Sequence, residues 1–259
     1  MDSTLQLDWG TGPLAQALGP GLRVEVRACC GSTNTELLAL CREGLSRPHL
    51  LVAEQQTAGR GRLGRQWQSW PGASLTFSLA WPWEGAPLDG LSLAVGAALA
   101  EALDPAGQLL QLKWPNDLWL ARRKLGGILI ETVSQGGGSP RAVVVGVGLN
   151  IEARPDAPAE LRLAGLRECD ARWSAPLALA AVAPALMDLL QHWPRQGWAH
   201  WQGRYAPRDG LIGLPLQIGG NNGLGAGTGP GGELLLAQGQ GRPLAVSAGE
   251  ASVQWETQE

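Results

Sequence analysis

The sequence contains almost no lysine. Lysine and arginine together number 20, and Lys113 and Lys124 are the only lysines among them. The two lie within one stretch of 12 residues. A compact ammonium on a flexible stem does not act as a planar guanidinium does. Because the chain uses arginine everywhere else, the retention of both lysines in one short segment indicates a chemical requirement there.

Cysteine is also scarce, and long apolar runs are missing. The chain has four cysteines, Cys29, Cys30, Cys41 and Cys169. Their spacing includes no C-x-x-C pair and fits no disulfide framework. No basic region follows Met1, and the longest nearly apolar stretch, Leu91 to Leu103, is shorter than the roughly 20 residues that a membrane helix needs. We therefore expect a reduced, cytoplasmic protein without a membrane-spanning segment.

Neither sign of charge is in large excess. The net charge is −3, with 17% charged and 44% hydrophobic residues. These values exclude a disordered chain and a strongly basic nucleic-acid coat protein. The length of 259 residues is sufficient for one large domain plus a small one.

The hydrophobic pattern predicts a mixed α+β region in the first 208 residues. Predicted strands cover residues 22–26, 50–53, 74–81, 109–114, 127–133 and 142–147. Predicted helices cover 33–44, 88–103 and 175–192, with helical character continuing through 198–201. Thr33 and Glu36 fit a capping box at the start of the first helix. The turn Gly136-Gly137-Gly138 is expected to join the last two strands as a hairpin.

The pattern of predicted secondary structure changes after Arg208. Short predicted strands follow at 214–218, 233–237, 243–246 and 252–255, separated by glycine-rich turns. The segment from Gly219 to Gly232 is predicted to be a mobile hairpin loop. Regular short strands of this kind are typical of a small β barrel. We therefore divide the chain into residues 1–208 and residues 209–259.

A loop rich in glycine and arginine is the first segment that carries chemistry. Glycines at 59, 61 and 64 permit close approach of the backbone to a ligand. Arg60, Arg62 and Arg65 supply planar cations that suit phosphate and carboxylate groups. A solvated basic turn or an RNA-binding patch has the same composition. The spacing alone does not separate these alternatives.

Both lysines belong to further segments of this kind. Lys113-Trp114-Pro115-Asn116-Asp117 places Lys113 and Asp117 at a bend, where a carboxylate could bind Mg²⁺. Lys124 precedes Gly126, Gly127 and a buried strand, where an ammonium could contact a carboxylate and an α-phosphate together. A surface salt bridge, or a charge flanking a core strand, would produce the same two patterns.

Taken in order, these segments resemble the signatures of the biotin–protein ligases. The resembling segments are Ser32-Thr33-Asn34, the arginine loop at 59–65, residues 113–117, residues 124–131, and Gly146-Val147-Gly148-Leu149-Asn150. The resemblance extends over roughly residues 28–259. It implies an α+β, mixed-sheet biotin/lipoate ligase-like catalytic domain with a small C-terminal SH3-like β barrel.

The resemblance also implies a reaction and the residues that perform it. ATP and biotin would form biotinyl-5′-AMP, and the biotinyl group would pass to a lysine of the biotin carboxyl carrier protein of acetyl-CoA carboxylase. The implied catalytic residues are Lys124, Arg60, Arg62, Asp117 and Lys113. The implied biotin-binding residues are Ser32, Thr33, Asn34, Gln56, Gly59, Arg60, Arg62, Trp67, Lys124, Gly127, Gly146 and Gly148. The implied nucleotide-binding residues are Arg60, Arg62, Arg65, Lys113, Asn116 and Asn150, with Asp117 and Asn150 toward Mg²⁺.

The sequence departs from the family pattern in places. Leu63 stands where many members have arginine, so an arginine is not required there. The loop that covers adenine would lie within residues 154–173, with Trp173 as its candidate aromatic. Only 31 residues precede Ser32, too few for the DNA-binding domain of some members, so no DNA partner is expected.

Three other functions stay open at this point. A lipoate–protein ligase would share the fold, and a non-catalytic biotin-binding protein would share the pocket. An RNA-binding protein would use the arginine loop, although the acidic net charge argues against it. The resemblance leaves the oligomeric state open, with a homodimer as one alternative.

Overall fold

The computed structural model describes residues 7–10, 16, 19, 21–134, 141–154 and 162–254. These residues form a seven-stranded sheet, a five-stranded sheet and three α-helices. In chain order the elements are β1 (Arg23–Cys30), α1 (Thr33–Gly44), β2 (His49–Gln56), β3 (Ser74–Trp83), α2 (Leu91–Leu103), β4 (Leu110–Lys113), β5 (Asp117–Leu120), β6 (Arg123–Val133), β7 (Arg141–Asn150), α3 (Ala175–Tyr205), β8 (Pro215–Ile218), β9 (Asn221–Thr228), β10 (Leu234–Ala237), β11 (Leu244–Val246) and β12 (Ser252–Val253).

The large sheet is mixed and is covered by helices on both faces. Its strand order is β1-β2-β3-β7-β6-β5-β4. Only β1 and β2 pair in parallel, and every other neighbouring pair is antiparallel. Leu37 and Leu38 of α1 pack with Ala80 and Val144 on one face. Helices α2 and α3 bury the main core on the opposite face. The predicted α+β mixed-sheet fold is confirmed.

Strand β3 shows how one sequence pattern serves both faces. Side chains two positions apart in a strand point to the same side. The residues Leu75, Phe77 and Leu79 therefore enter the main core, where all three are buried. The alternate residues Ser74, Thr76 and Ser78 are equally buried but polar, and they face the side covered by α1. A buried polar row requires hydrogen-bond partners. Thr76 donates to the Ala53 carbonyl oxygen over 2.7 Å, and the partners of Ser78 lie in the site described below.

Helix α3 has the length and composition of a membrane-spanning helix over Ala175–Arg208. In the fold, however, its apolar side is buried against the main core, with Leu186, Leu189 and Trp193 almost fully covered. The helix is kinked at Gly197, which has the positive φ of 54°. An inner face packed on α2 and the sheet is the arrangement of a core helix, and we interpret α3 in that way.

The C-terminal residues form an antiparallel sheet of order β11-β10-β9-β8-β12. This sheet is compatible with the predicted SH3-like barrel, although no strand pairing closes it within residues 209–254. The predicted loop from Gly219 to Gly232 is wrong, because β9 occupies its centre. A Cβ on Gly225 would lie 2.0 Å from the carbonyl oxygen of Leu211. Glycine in β9 thus permits close backbone packing rather than a loose loop.

Two further predictions differ from the structure. Ser32, not Thr33, is the N-cap of α1, and its side chain makes no capping bond. Thr33 instead contacts Gln56, and Glu36 pairs with Arg27, so the predicted capping box is wrong. Strand β5 was not predicted, because its four residues directly follow the Lys113–Asn116 turn. The predicted turn at Gly136–Gly138 lies outside the described residues.

Buried charges connect the large sheet to the C-terminal sheet. Arg208 donates to the Asp104 carboxylate over 3.2 Å, and both side chains are buried. The next residue, Asp209, is also buried and accepts a hydrogen bond from the Leu211 amide over 2.9 Å. Burial raises the pKa of Asp209 from 3.8 to about 6, and the Leu211 amide opposes this shift. At neutral pH the Asp209 carboxylate is therefore ionised and desolvated, and no cation among the described residues forms a salt bridge with it.

We expect Asp209→Asn to stabilise the protein at pH 8 by about 1 to 3 kcal/mol. A folded-state pKa above the unfolded one makes stability fall as pH rises from about 4 to about 6, and the loss persists above pH 6. Asparagine keeps the acceptor for Leu211 and never ionises. Urea unfolding at pH 8 and pH 4 measures the effect, which should shrink at pH 4. Asp188→Asn, at an exposed position, is the control. Equal stabilisation at both pH values would contradict the explanation.

Candidate active site

A cavity of about 510 Å³ opens on the side of the large sheet that carries α1. It lies between the start of α1, the arginine loop with the residues 66–68 that follow it, strands β4 to β7, and residues 250 and 253 of the C-terminal region. Every predicted site residue except Gly59 and Trp173 lines it. These lining residues are Ser32, Thr33, Asn34, Gln56, Arg60, Arg62, Arg65, Trp67, Lys113, Asn116, Asp117, Lys124, Gly127, Gly146, Gly148 and Asn150.

One end of the cavity is a buried network of polar groups at the start of α1. The Thr33 amide donates to Gln56 Oε1 over 2.7 Å. The Ser78 hydroxyl lies 2.6 Å from Thr33 Oγ1 and 2.6 Å from Asn34 Oδ1. Ser32, Thr33 and Asn34 are each less than 5% exposed. Because each group is held by its neighbours, donors and acceptors are in fixed positions before a ligand arrives.

Glycines on β7 make room for the side chains around this network. Gly146 and Gly148 lie two positions apart and so face the same side of the sheet. A Cβ on Gly146 would lie 2.2 Å from Asn34 Oδ1, and one on Gly148 would lie 2.4 Å from the Trp67 ring. Both distances are far below van der Waals contact. The two glycines therefore let Asn34 and Trp67 lie directly on the strand.

The two ends of the arginine loop are paired with each other. Arg60 and Gln66 form an antiparallel bridge, and a turn at Arg62–Gly64 reverses the chain. Gly59 does not line the cavity. A Cβ at that position would lie 2.4 Å from the Trp67 carbonyl oxygen, so Gly59 supports the base of the loop. Gly59 thus lies outside the cavity lining, whereas Arg60, Arg62 and Arg65 of the same loop lie in it.

The cations of the loop are held by distant elements. Arg62 donates to Asn116 Oδ1 over 3.2 Å and to the Gly249 carbonyl oxygen over 3.4 Å. Arg65 pairs with Glu250. These contacts join the loop to the β4–β5 turn and to the small sheet. The C-terminal region therefore forms part of the wall of the cavity.

Carboxylates also neutralise cations at the sheet. Lys124 Nζ lies 2.7 Å from Asp117 Oδ1, in a pair that is partly exposed to the cavity. Arg60 makes a two-pronged contact with Glu131, at 2.9 and 3.1 Å. In both pairs a cation that could bind an anionic ligand is held by a protein carboxylate. An incoming carboxylate or phosphate would compete for these contacts.

Lys113 lies deeper than Lys124. Burial lowers its pKa, and the nearby charge of Asp117 opposes this effect. Its ammonium lies 5.4 Å from the centre of the Trp119 ring, within the range of a cation–π contact. Pairing of Lys113 with Asp117 across the β4–β5 hairpin places both side chains at the same edge of the cavity.

The residues predicted for Mg²⁺ provide few ligands. The described residues contain no group of three or more His, Cys, Asp or Glu side chains arranged around a metal position. Asp117 supplies one carboxylate, and the Asn150 amide nitrogen donates to the Lys124 carbonyl oxygen over 3.2 Å. Magnesium held by one or two carboxylates and substrate phosphates fits such a donor set, whereas an all-protein cage does not.

Some residues of the site were not predicted. Ser78 lies behind the cavity, where it holds Thr33 and Asn34, and it belongs to the row of alternate hydroxyl residues in β3, which is a readable signal. Trp119 was missed together with β5. Glu250 lines the cavity from the loop before β12, and no local pattern connects it to the arginine loop. Trp173, the predicted adenine-covering aromatic, packs partly buried against the core and is not among the cavity residues.

Comparison with known proteins gives a consistent set of relatives. The biotin/lipoate A/B protein ligase family profile matches residues 26–150. The bifunctional ligase/repressor BirA of Escherichia coli is 34% identical over 203 residues, which are 76% of this chain and 63% of that protein. Biotin–[acetyl-CoA-carboxylase] ligase of Mycobacterium tuberculosis is 38% identical over 154 residues, 53% of each chain. The chain thus spans less than two thirds of the length of these relatives.

A solved structure is similar over a larger part of the chain. The biotin protein ligase from Aquifex aeolicus, in complex with biotin and ATP, superposes with a TM-score of 0.74 and 26% sequence identity. The match covers 91% of this chain and 99% of that one. The similarity therefore includes both sheets rather than the family segment alone.

We expect Gly146→Ala to lower stability by about 1 to 3 kcal/mol, because the new methyl group would collide with Asn34. Gly127→Ala is the matched control, since it lies on the neighbouring strand and its Cβ would meet nothing closer than 3.5 Å. Urea unfolding of both variants measures the difference. If Gly127→Ala lowered the free energy of unfolding as much as Gly146→Ala does, the packing argument would be contradicted.

Proposed function

Because the chain belongs to the biotin/lipoate A/B protein ligase family, we propose that it is an ATP-dependent biotin–protein ligase. It forms biotinyl-5′-AMP and transfers the biotinyl group to a lysine of the biotin carboxyl carrier protein of acetyl-CoA carboxylase. The observation that carries this proposal is the cavity itself. A preformed polar network with Arg60 beside it lies at one end, and Arg62 and Lys124 lie farther along the cavity.

The polar end suits the ureido ring of biotin. A cyclic urea offers one carbonyl acceptor and two N–H donors, and the groups of Ser32, Thr33 and Asn34 that line the cavity include both kinds of partner. Trp67 Nε1 is buried and has no hydrogen-bond partner among the described residues, so a ligand acceptor would satisfy it. A lipoyl ring has no urea carbonyl and would leave the buried Trp67 Nε1 without an acceptor. The cavity therefore favours biotin over lipoate.

The cationic end suits a carboxylate that reacts with a phosphate. In the first step a biotin carboxylate oxygen bonds to the α-phosphorus of ATP, and the bond to pyrophosphate breaks. Both reactants are anions, so Lys124 and Arg62 lower the barrier by neutralising charge that is held close together. Asp117 holds the Lys124 ammonium at the wall of the cavity, 2.7 Å from its Oδ1.

The second step needs an acyl acceptor. The neutral amine of the carrier lysine attacks the acyl carbon of the mixed anhydride, the acyl–oxygen bond breaks, and AMP leaves with its charge held by the arginines. The amine proton passes to solvent. No covalent bond to this chain is formed in either step. The protein contributes positioning, charge neutralisation and exclusion of water from the anhydride.

We propose Mg²⁺ as the metal that accompanies ATP. Asp117, with the amide oxygen of Asn150 nearby, would hold it together with the nucleotide phosphates, which is the donor set that Mg²⁺ commonly uses. Bound there, it would neutralise phosphate charge. We further propose a cytoplasmic location. None of the four cysteines forms a disulfide, as a reducing compartment requires.

The test is to incubate the protein with biotin, MgATP and a biotin carrier domain, and to measure the mass of the carrier and the release of pyrophosphate. We expect a mass gain of one biotinyl group. Lys124→Ala should slow pyrophosphate release by about 100-fold or more, because it removes the cation beside the reacting groups. The matched control is Arg123→Ala, which removes the adjacent cation outside the cavity and should leave the rate within about threefold.

The outcomes separate the alternatives. Pyrophosphate release with lipoate but not biotin would replace the proposal by a lipoate–protein ligase. Binding of biotin without any pyrophosphate release would leave a binding protein. Equal loss of rate in Lys124→Ala and Arg123→Ala would contradict the role given to Lys124.

A further inference from the structure

Glu131 is a motif residue to which the reaction above gives no task. It lies on β6, and its side chain is 23% exposed. Its Oε2 accepts a hydrogen bond from Asn34 Nδ2 over 3.0 Å and from Arg60 Nη1 over 3.1 Å. Its Oε1 accepts from Arg60 Nη2 over 2.9 Å. One carboxylate therefore contacts both the polar end of the cavity and the arginine loop.

The contact with Asn34 decides how that side chain is oriented. A carboxylate accepts hydrogen bonds and cannot donate them, so the side of Asn34 that faces Glu131 must be its NH₂ group. The Leu129 carbonyl oxygen, 3.3 Å from Nδ2, is also an acceptor and therefore requires the NH₂ group on the same side. The Asn34 oxygen is then directed to the Ser78 hydroxyl, 2.6 Å away. The donors and acceptors at the polar end thus depend partly on the charge of Glu131.

The contact with Arg60 holds the loop onto the sheet. Three arginines attach this loop, and each attaches to a different part of the chain. Arg62 reaches Asn116, and Arg65 reaches Glu250. The attachment through Arg60 uses both oxygens of one carboxylate, and this carboxylate is shared with Asn34 at the polar end of the cavity.

We infer that Glu131 is a positioning residue that couples recognition of the biotin ring to closure of the arginine loop. A ligand that contacts Asn34 stabilises the orientation that Glu131 imposes, and Glu131 in turn holds Arg60 and the loop over the cavity. This inference rests on the proposed function. It assigns Glu131 no contact with the reacting atoms.

The experiment compares Glu131→Gln with the wild type in two assays. The first is limited trypsin digestion, followed by mass spectrometry at Arg62 and Arg65, with and without saturating biotin. The second is pyrophosphate release as a function of biotin and of ATP. Glutamine has nearly the same shape but cannot accept both prongs of Arg60. Glu101→Gln is the matched control, because Glu101 also pairs with an arginine, Arg204, far from the cavity.

We expect cleavage of the loop in ligand-free Glu131→Gln to be about tenfold faster than in the wild type, as loss of a charge-assisted contact predicts. The KM for biotin should rise by about the same factor, while kcat and the KM for ATP stay within about threefold. A merely structural role would lower the melting temperature without this division between KM and kcat. Glu101→Gln should behave as the wild type in both assays.

A double variant tests whether Arg60 and Glu131 act together. In Arg60→Ala/Glu131→Gln, cleavage at Arg62 and Arg65 should be no faster than in Arg60→Ala alone, because the tether is already broken. Additive rates would overturn the inference, as would wild-type cleavage and wild-type biotin KM in Glu131→Gln.

Failure of the proposed function gives a different result. Cleavage rates do not require catalysis. If the wild type releases no pyrophosphate but Glu131→Gln is cleaved faster, the tether is supported and the ligase proposal is contradicted. If pyrophosphate is released and cleavage is unchanged by Glu131→Gln, the inference is contradicted and the ligase proposal is not.

Discussion

The concentration of positive charge in one cavity is the constraint on which the rest of the site depends. Five arginines and both lysines line the cavity. Like charges at such spacing repel, so a folded structure must supply compensating groups. For Lys124, Arg60 and Arg65 it does so with carboxylates from separate elements: Asp117 from β5, Glu131 from β6 and Glu250 from the loop before β12. The need to neutralise these cations therefore joins the arginine loop, the large sheet and the C-terminal sheet around one space.

The same contacts prepare the cavity for anions. Arg60, Arg62, Arg65 and Lys124 already have oxygen partners, and a ligand carboxylate or phosphate can compete with those partners for the same cations. Exchange of one oxygen for another costs less than desolvation of a bare ammonium or guanidinium. A cavity organised in this way is stable before the ligand arrives and still presents cations to it.

The uncharged end of the cavity follows a different rule. There the constraint is space, and the strand glycines Gly146 and Gly148 meet it by removing side chains where Asn34 and Trp67 must lie. The buried Ser78 hydroxyl completes the network from β3. Rigid polar groups on a sheet and a helix start can discriminate a urea from an apolar ring more sharply than a flexible loop could. The cavity spans both the sheet and the loop because the sheet positions the polar groups and the loop supplies positive charge.

Local sequence determined the residues of the site and the class of the fold. Each motif alone had alternatives, and the motifs could be recognised because their order and spacing together resemble one family. The alternating pattern of β3 follows directly from strand geometry. Tertiary structure alone decided the partners. Thr33 and Glu36 match a capping box in sequence, yet Gln56, Ser78 and Arg27 compete successfully for them. Glu250 reaches Arg65 across 185 positions in the chain. Contacts of this range depend on how the two sheets pack, and no local preference contains that information.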